Sequence, residues 1–283
     1  MLRIAVQSKG RLHDDTMSLL READIKVSET KRTLLVRARN FPMETLFLRD
    51  DDIPATVADG VADIGVVGLN ELEEKGADVD IIKHLGFGAC RLSLALPKEE
   101  NYTGTKWFEG KKIATSYPAI LRRWLEKQGI KASIHVISGS VEISTGVGLA
   151  DAIFDIVSSG STLVTNNLRE VETVMQSDAV LIARKDLDAE KRAILDEMLF
   201  RFDAIQSAET KKYVLLNAPQ DKVEEITALL PGVKSPTVMP LAESGWCSIH
   251  TVIDEDRFWE IIGKLKAAGA QGILVIDIEK LII

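Results

Sequence analysis

Short apolar runs alternate with amphipathic helical segments along most of the chain. Residues 2–6 predict a strand, and the apolar positions between Leu12 and Ala23 then recur at the spacing of one helical face. A proline near the start of segment 53–58 favours a second helix, and residues 62–68 form an apolar run that ends in glycine. The pattern predicts an α/β lobe in which strand 62–68 is parallel and central.

The same alternation starts again at Arg91. The apolar pattern predicts strands at 91–96, 112–115, 134–137, 152–157 and 179–183, and helices at 118–128 and 189–205. We therefore expect two α/β lobes that face each other. Residues 1–90 together with 184–211 are assigned to lobe I, and residues 91–183 to lobe II.

From residue 212 the elements follow a different order. The pattern predicts strands at 213–216, 235–239, 247–253 and 273–276, and helices at 219–230 and 255–268. Pro231 and Gly232 are expected to end the first of these helices, and Asp254 to cap the second. The order βαββαβ is that of a ferredoxin-like module of ~70 residues. Residues 212–283 are therefore predicted to form a separate domain for oligomer contact or small-molecule sensing.

Charge and composition argue against several classes of protein. The chain has 35 lysines and arginines against 43 aspartates and glutamates and lacks a basic run, so no nucleic-acid partner is expected. No run approaches the ~20 apolar residues of a membrane span, and the first residues turn polar too soon for a signal peptide. We therefore expect a cytoplasmic protein. Cys90 and Cys247 fit neither a disulfide framework nor a zinc site.

A hydroxyl-rich loop follows the predicted strand 152–157 and is the most informative motif. The acid Asp155 precedes it, and the loop itself, here called the hydroxyl loop, consists of Ser158, Ser159, Gly160, Ser161 and Thr162. Backbone N–H groups and hydroxyls at the carboxyl end of a strand suit a phosphate, while Asp155 suits a sugar diol. This combination favours a phosphoribosyl group. The alternative is an ordinary βα connection, because serine, threonine and glycine are the usual turn residues.

Other polar segments are expected at the carboxyl ends of strands in the two lobes, where α/β proteins bind ligands. Lys9 and Arg11 lie beside a helix start, which favours an anion between them, although a solvated loop is equally compatible. Arg49 precedes three acids that are typical of helix capping, with a phosphate contact by Arg49 and Mg²⁺ binding by the acids as the functional alternative. Tyr117 stands before a helix, where it either packs or stacks on a base.

Segments in chain order resemble those of the ATP phosphoribosyltransferase family, in its long form. They are residues 9–12, 49–54, 63–68, 90–95, 114–118, 139–142 and 155–163. The resemblance extends to 229–232 and the C-terminal module. It implies two periplasmic-binding-protein-like lobes for the catalytic part, with the active site in the cleft, and a ferredoxin-like regulatory domain. It also implies a glycosyltransferase of histidine biosynthesis that uses Mg²⁺, is inhibited by histidine through the C-terminal domain, and assembles as dimers and hexamers.

The resemblance implies attack of N1 of ATP on C1 of phosphoribosyl pyrophosphate. Lys9, Arg11 and Asp155 are expected to be catalytic. The expected substrate-binding residues are Arg49, Gly68, Leu69, Asn70, Arg91, Tyr117, Glu142 and the hydroxyl loop. The expected histidine contacts are Asn217, Ser235, Thr237 and Thr251.

One residue departs from the pattern of many phosphoribosyltransferases. Phe154 stands where those enzymes have a second acid, so the second ribose contact is assigned to Glu142 or Asp151. The competing interpretation is a cytosolic two-lobe binding or sensor protein without catalysis. The hydroxyl loop with Asp155 argues against it, because a simple amino-acid binder has no need of a phosphate site.

Overall fold

The computed structural model describes residues 1–28, 33–230, 232 and 235–283. The strands are β1 (Leu2–Gln7), β2 (Leu35–Arg37), β3 (Met43–Leu48), β4 (Ile64–Gly68), β5 (Asp80–His84), β6 (Cys90–Pro97), β7 (Lys112–Thr115), β8 (Ser133–Val136), β9 (Ala152–Val157), β10 (Leu168–Ser177), β11 (Ala179–Ala183), β12 (Lys211–Pro219), β13 (Thr237–Pro240), β14 (Trp246–Asp254) and β15 (Gln271–Asp277). The helices are α1 (Arg11–Glu22), α2 (Ile53–Ala58), α3 (Leu69–Lys75), α4 (Pro118–Gln128), α5 (Ser161–Thr165), α6 (Ala189–Glu209), α7 (Val223–Leu229) and α8 (Glu255–Ala267). The chain divides into two compact units, 1–195 and 196–283, and the predicted boundary at residue 212 stays a prediction.

The first sheet of unit 1 has the strand order β2-β3-β1-β4-β11-β5. Strand β4 is central, as predicted, but it pairs parallel with β1 and antiparallel with β11. The sequence pattern assigns residues 179–183 to lobe II, and this is wrong, because β11 pairs with β4 and β5 of the first sheet. All five residues of β11 are buried, so the strand needs partners on both edges. Apolar content alone does not reveal which sheet supplies them.

The second sheet has the order β10-β6-β9-β7-β8 and builds lobe II. Leu92, Leu94 and Leu96 project from one face of β6 into a core that also contains Phe108 and Phe154. Residues 91, 93 and 95 therefore lie on the opposite face, because side chains alternate along a strand. Strand β10 pairs antiparallel with β6 and carries two register shifts.

Unit 2 contains a four-stranded sheet in the order β13-β14-β12-β15, with every pairing antiparallel. Residues of α7 and α8 pack with one face of the sheet in a single core, and the βαββαβ order is the predicted one. The helix predicted over 219–230 is shorter, because a 3₁₀ turn at Gln220–Lys222 precedes α7. The predicted stop at Pro231 lies outside the described residues.

Asp254 stands at the N-cap position of α8, but its side chain makes no capping hydrogen bond. Its carboxylate pairs instead with Lys211, its register partner on β12. The predicted side-chain cap is therefore wrong, because a cross-strand cation competes for the same oxygens.

Candidate active site

The hydroxyl loop joins β9 to α5 on the face of lobe II that carries Asp155. Glu142, Asp155 and residues of the hydroxyl loop line a cavity of about 240 Å³, here called the loop cavity. Gly160 has φ +79°, a left-handed conformation that a side chain would strain. The Ser159 and Ser161 hydroxyls lie 3.0 Å apart. Strand, acid and loop thus meet at one small cavity.

Asp155 is held in an environment that disfavours its charge. Burial, with a smaller contribution from the nearby Glu142 carboxylate, raises the pKa of Asp155 to about 6, although a hydrogen bond with the Ile156 backbone opposes the shift. Such a displaced pKa in a cavity is typical of a functional carboxylate. Asp151, the other candidate for the second ribose contact, is exposed and accepts a hydrogen bond from the Lys112 N–H at 2.8 Å. Of the two, Glu142 is the one that lines the loop cavity.

A second cavity, of about 540 Å³, lies where β5 leads into β6 and β10 leads into β11; it is here called the crossover cavity. Leu69, Arg91 and Ser158 line it, so three predicted substrate-binding residues meet there. His84 and Asp178 also line it and form a contact of 2.9 Å between Nδ1 and Oδ2. These two residues escaped sequence analysis, because neither stands in a recognisable motif.

Asn70 and Tyr117 are brought together in a buried polar network. The Asn70 side-chain amide donates to the Tyr117 hydroxyl at 3.1 Å, and Asn70 also exchanges hydrogen bonds with Ser177. Tyr117 is only 6% exposed and its ring lies in the core of lobe II. Burial and the neighbouring Glu71 raise the pKa of the Tyr117 hydroxyl. The network joins α3 to lobe II, and contact of Asn70 or Tyr117 with a base stays a prediction.

Lys9, Arg11 and Arg49 are all exposed. The Arg11 side chain lies 3.9 Å from the Asp15 carboxylate, one helical turn away. Within the described ranges, neither the loop cavity nor the crossover cavity is lined by these three cations. Gly68 is half-buried at the start of α3, and the Asn70 side chain fills the space that a Cβ at position 68 would occupy. Their contacts with substrate stay predictions.

A third cavity, of about 540 Å³, lies within unit 2 and is here called the C-terminal cavity. It is lined by Tyr213, Ser235, Thr237, Met239, His250, Thr251, Val252, Ile282 and Ile283. Three of the four predicted histidine contacts are among these residues, whereas Asn217 is not. Thr251 is buried, and its hydroxyl has no hydrogen-bond partner within the described part of the chain. The sequence did not point to His250, which also lines this cavity. Its Nδ1 lies 2.6 Å from the Tyr213 hydroxyl, and its Nε2 lies 2.9 Å from the Ser248 hydroxyl.

No helix in the described part of the chain has the length and apolar character needed to cross a membrane.

The amino-acid sequence is similar to those of known proteins along its whole length. The family model of ATP phosphoribosyltransferase matches residues 49–204, and the model of the C-terminal domain of the same family matches residues 208–280. ATP phosphoribosyltransferases of Bacteroides thetaiotaomicron and Bacteroides fragilis are each 68% identical over 283 residues, which is 100% of both chains. That of Cytophaga hutchinsonii is 56% identical over 282 residues, covering 100% of this chain and 99% of the relative.

Two solved structures resemble this chain. A chain of the ATP phosphoribosyltransferase HisG:HisZ complex from Thermotoga maritima matches with 28% identity and a TM-score of 0.63, over 71% of this chain and 96% of that one. The substrate-binding protein of an amino-acid ABC transporter matches with a TM-score of 0.50 at 9% identity, over 74% and 94%, which supports the periplasmic-binding-protein-like fold alone. With the family model covering more than half of the sequence, the chain belongs to the ATP phosphoribosyltransferase family.

Proposed function

We propose that the loop cavity is where phosphoribosyl transfer takes place. The chain joins ATP to phosphoribosyl pyrophosphate, giving N1-phosphoribosyl-ATP and pyrophosphate, in histidine biosynthesis. The observation that carries the assignment to this cavity is the position of Asp155 beside the hydroxyl loop, with Glu142 on the same wall. The hydroxyl loop would hold the 5′-phosphate of the donor through its hydroxyls and backbone N–H groups.

Adenine N1 already carries a lone pair, so its attack on C1 of the ribose requires no general base. The C1–oxygen bond breaks, and its electron pair leaves with pyrophosphate. Asp155, ionised above about pH 6, would accept hydrogen bonds from the ribose hydroxyls and stabilise positive charge that develops on the sugar. We assign the second ribose contact to Glu142. Lys9, Arg11 and Arg49 are proposed to contact the phosphate chains of the two substrates, a role that their exposure permits.

Enzymes of this family typically use Mg²⁺. Among the described residues, no group of three or more histidine, cysteine, aspartate or glutamate side chains is placed to hold a metal ion. This agrees with the usual binding of Mg²⁺ to substrates, in which one or two carboxylates are completed by phosphate oxygens and water. The ion would neutralise charge on the departing pyrophosphate.

The test is pyrophosphate release from ATP and phosphoribosyl pyrophosphate in the presence of Mg²⁺. We expect Asp155→Ala to keep its fold by circular dichroism and to lose at least ~10²-fold in turnover, the loss typical of a removed electrostatic contact. Asp151→Ala is the matched control, because Asp151 is an exposed acid four residues before Asp155. Near-normal turnover of Asp155→Ala would exclude the role of Asp155. A well-folded unmodified protein that released no pyrophosphate would favour the binding-only alternative.

Histidine is the proposed inhibitor, and the C-terminal cavity is its proposed site. In favour of this are the convergence of Ser235, Thr237 and Thr251 on one cavity and the Thr251 hydroxyl, which has no hydrogen-bond partner among the described residues. A buried hydroxyl without a partner costs free energy, which a polar ligand can recover. We also propose a cytoplasmic location and assembly into dimers and hexamers.

A further inference from the structure

We infer that Glu170 is a positioning residue, which sets the conformation of the hydroxyl loop through Arg91. The inference rests on the proposed function of that loop as the phosphate site. Glu170 lies on β10, and Arg91 lies on β6, the neighbouring strand. Glu170 stands outside the sequence motifs named above and has no role in the proposed mechanism.

The Glu170 carboxylate accepts hydrogen bonds from four donor groups. Its oxygens accept from Nε and Nη2 of Arg91, both at 2.6 Å. They also accept from the Ser93 hydroxyl at 2.7 Å and the Thr173 hydroxyl at 3.2 Å. These donors, with Arg91 first, lower the pKa of Glu170 to about 2. Glu170 is therefore ionised at every pH at which the protein would be assayed.

The bidentate pair fixes the plane of the Arg91 guanidinium and so the direction of its remaining nitrogen. That nitrogen, Nη1, donates to the backbone carbonyl of Ser158 at 3.1 Å. Ser158 is the first residue of the hydroxyl loop, directly after Val157, which is the register partner of Arg91 on β9. Arg91 therefore ties the base of the loop to the sheet, and Glu170 holds Arg91 in the orientation that allows this.

The pairing of the Arg91 charge with the Glu170 charge also supports a positioning role. The side chains of Arg91 and Glu170 are 31% and 24% exposed, so this pair is shielded more than an ordinary surface ion pair. With its charge matched by Glu170 and Nη1 engaged by a carbonyl, Arg91 contributes geometry to the phosphate site more than free positive charge. Its effect should appear in the affinity for the phosphoribosyl donor, because only that substrate occupies the loop.

The experiment compares Glu170→Gln with Glu172→Gln. Glu172 is the matched control, since it lies on the same strand and accepts a hydrogen bond from the Tyr102 hydroxyl, away from the loop. We expect Glu170→Gln to raise KM for phosphoribosyl pyrophosphate by roughly 10-fold, the scale of one lost charge-assisted hydrogen bond. KM for ATP and kcat should change by less than about 3-fold. Dissociation constants from calorimetry with phosphoribosyl pyrophosphate and Mg²⁺ should follow the change in KM.

A second variant, Arg91→Lys, tests whether Arg91 positions the hydroxyl loop or only stabilises the folded protein. Lysine cannot make the bidentate contact and reach Ser158 together, so it should reproduce the donor-selective defect. The double variant Glu170→Gln/Arg91→Lys should be no worse than the single variants, because both remove the same link. Equal donor affinity in Glu170→Gln and Glu172→Gln, or a loss of thermal stability without a change in donor affinity, would overturn the inference. Because calorimetry needs no turnover, it tests the inference even if the unmodified protein released no pyrophosphate, a result that would instead count against the proposed reaction.

Discussion

Asp155 illustrates a conflict between folding and function at a single residue. Its carboxylate is partly desolvated and faces Glu142, and both effects favour the protonated form. The proposed mechanism needs the ionised form, because only a carboxylate stabilises positive charge on the ribose. The conflict gives two consequences, one for activity and one for stability.

For activity, we expect kcat/KM to fall below about pH 6, where the carboxylate of Asp155 takes up a proton in the free enzyme. Glu142→Gln removes the like charge that helps to raise this pKa, so the midpoint of the acid limb should move to lower pH whatever happens to the maximal rate. The measurement is kcat/KM between about pH 5 and about pH 8 for both proteins. An identical midpoint in the two proteins would contradict the assignment.

For stability, the sign follows from the raised pKa. The folded protein binds the Asp155 proton more tightly than the unfolded chain does, whose aspartate pKa is 3.8. The contribution of Asp155 to the free energy of unfolding therefore falls as the pH rises from about 4 to about 6, and it is constant at higher pH. Asp155→Asn removes this cost, and should raise the free energy of unfolding above pH 6 by on the order of 2 kcal/mol. Thermal melting at about pH 4 and about pH 8 tests this, with a gain expected only at the higher pH.

At the level of elements, the N-terminus of α4 in lobe II is capped by an acidic side chain of lobe I. The Glu74 carboxylate, on α3, accepts hydrogen bonds from the Ala119 N–H at 2.8 Å and the Ile120 N–H at 2.9 Å. The N-cap residue itself, Tyr117, provides no side-chain capping bond. Glu74 thus supplies from α3 the acceptor that the first turn of a helix needs.

We expect Glu74→Gln to destabilise lobe II by about 1 kcal/mol, the usual value of a lost helix cap. Glu73→Gln is the control, because Glu73 is exposed and its carboxylate pairs with Arg123 at 3.3 Å on the surface, so its loss should cost no more than ~0.5 kcal/mol. Urea unfolding followed by tryptophan fluorescence is suitable, since Trp107 and Trp124 pack against the core of lobe II. Equal midpoints for the two variants would show that the cap contributes nothing.

The elements also show where sequence reasoning stops. The limits of α4 are those predicted, 118–128, because Pro118 and Gly129 mark its ends locally. Strand β10 was missed, because its half-buried residues alternate weakly and its pairing with β6 is a long-range choice. Glu170 was missed with it. A single sequence contains the hydroxyl loop as a local motif, but the partner that reaches Arg91 from β10 depends on strand order.

For the whole molecule, the sequence suffices for the family, for two lobes and for the C-terminal domain, since each depends on element order and ordered motifs. It does not suffice for the assignment of β11 to the first sheet. It also does not reveal that His250 and Tyr213 face the C-terminal cavity. The proposed histidine site lies within unit 2, so substitutions of individual residues that line this cavity can test the proposal.

Thr251→Val is the sharpest of these tests. The substitution keeps the shape of the side chain and removes a buried hydroxyl that has no partner within the described residues, so without histidine it should stabilise the protein by about 1 kcal/mol. With histidine, the concentration needed for half-maximal inhibition should rise about 10-fold, because the proposed hydrogen bond is gone. Thr227→Val is the control, as the Thr227 hydroxyl bonds the Val223 carbonyl at 2.7 Å and does not line the cavity. Unchanged inhibition of Thr251→Val would place the inhibitor elsewhere.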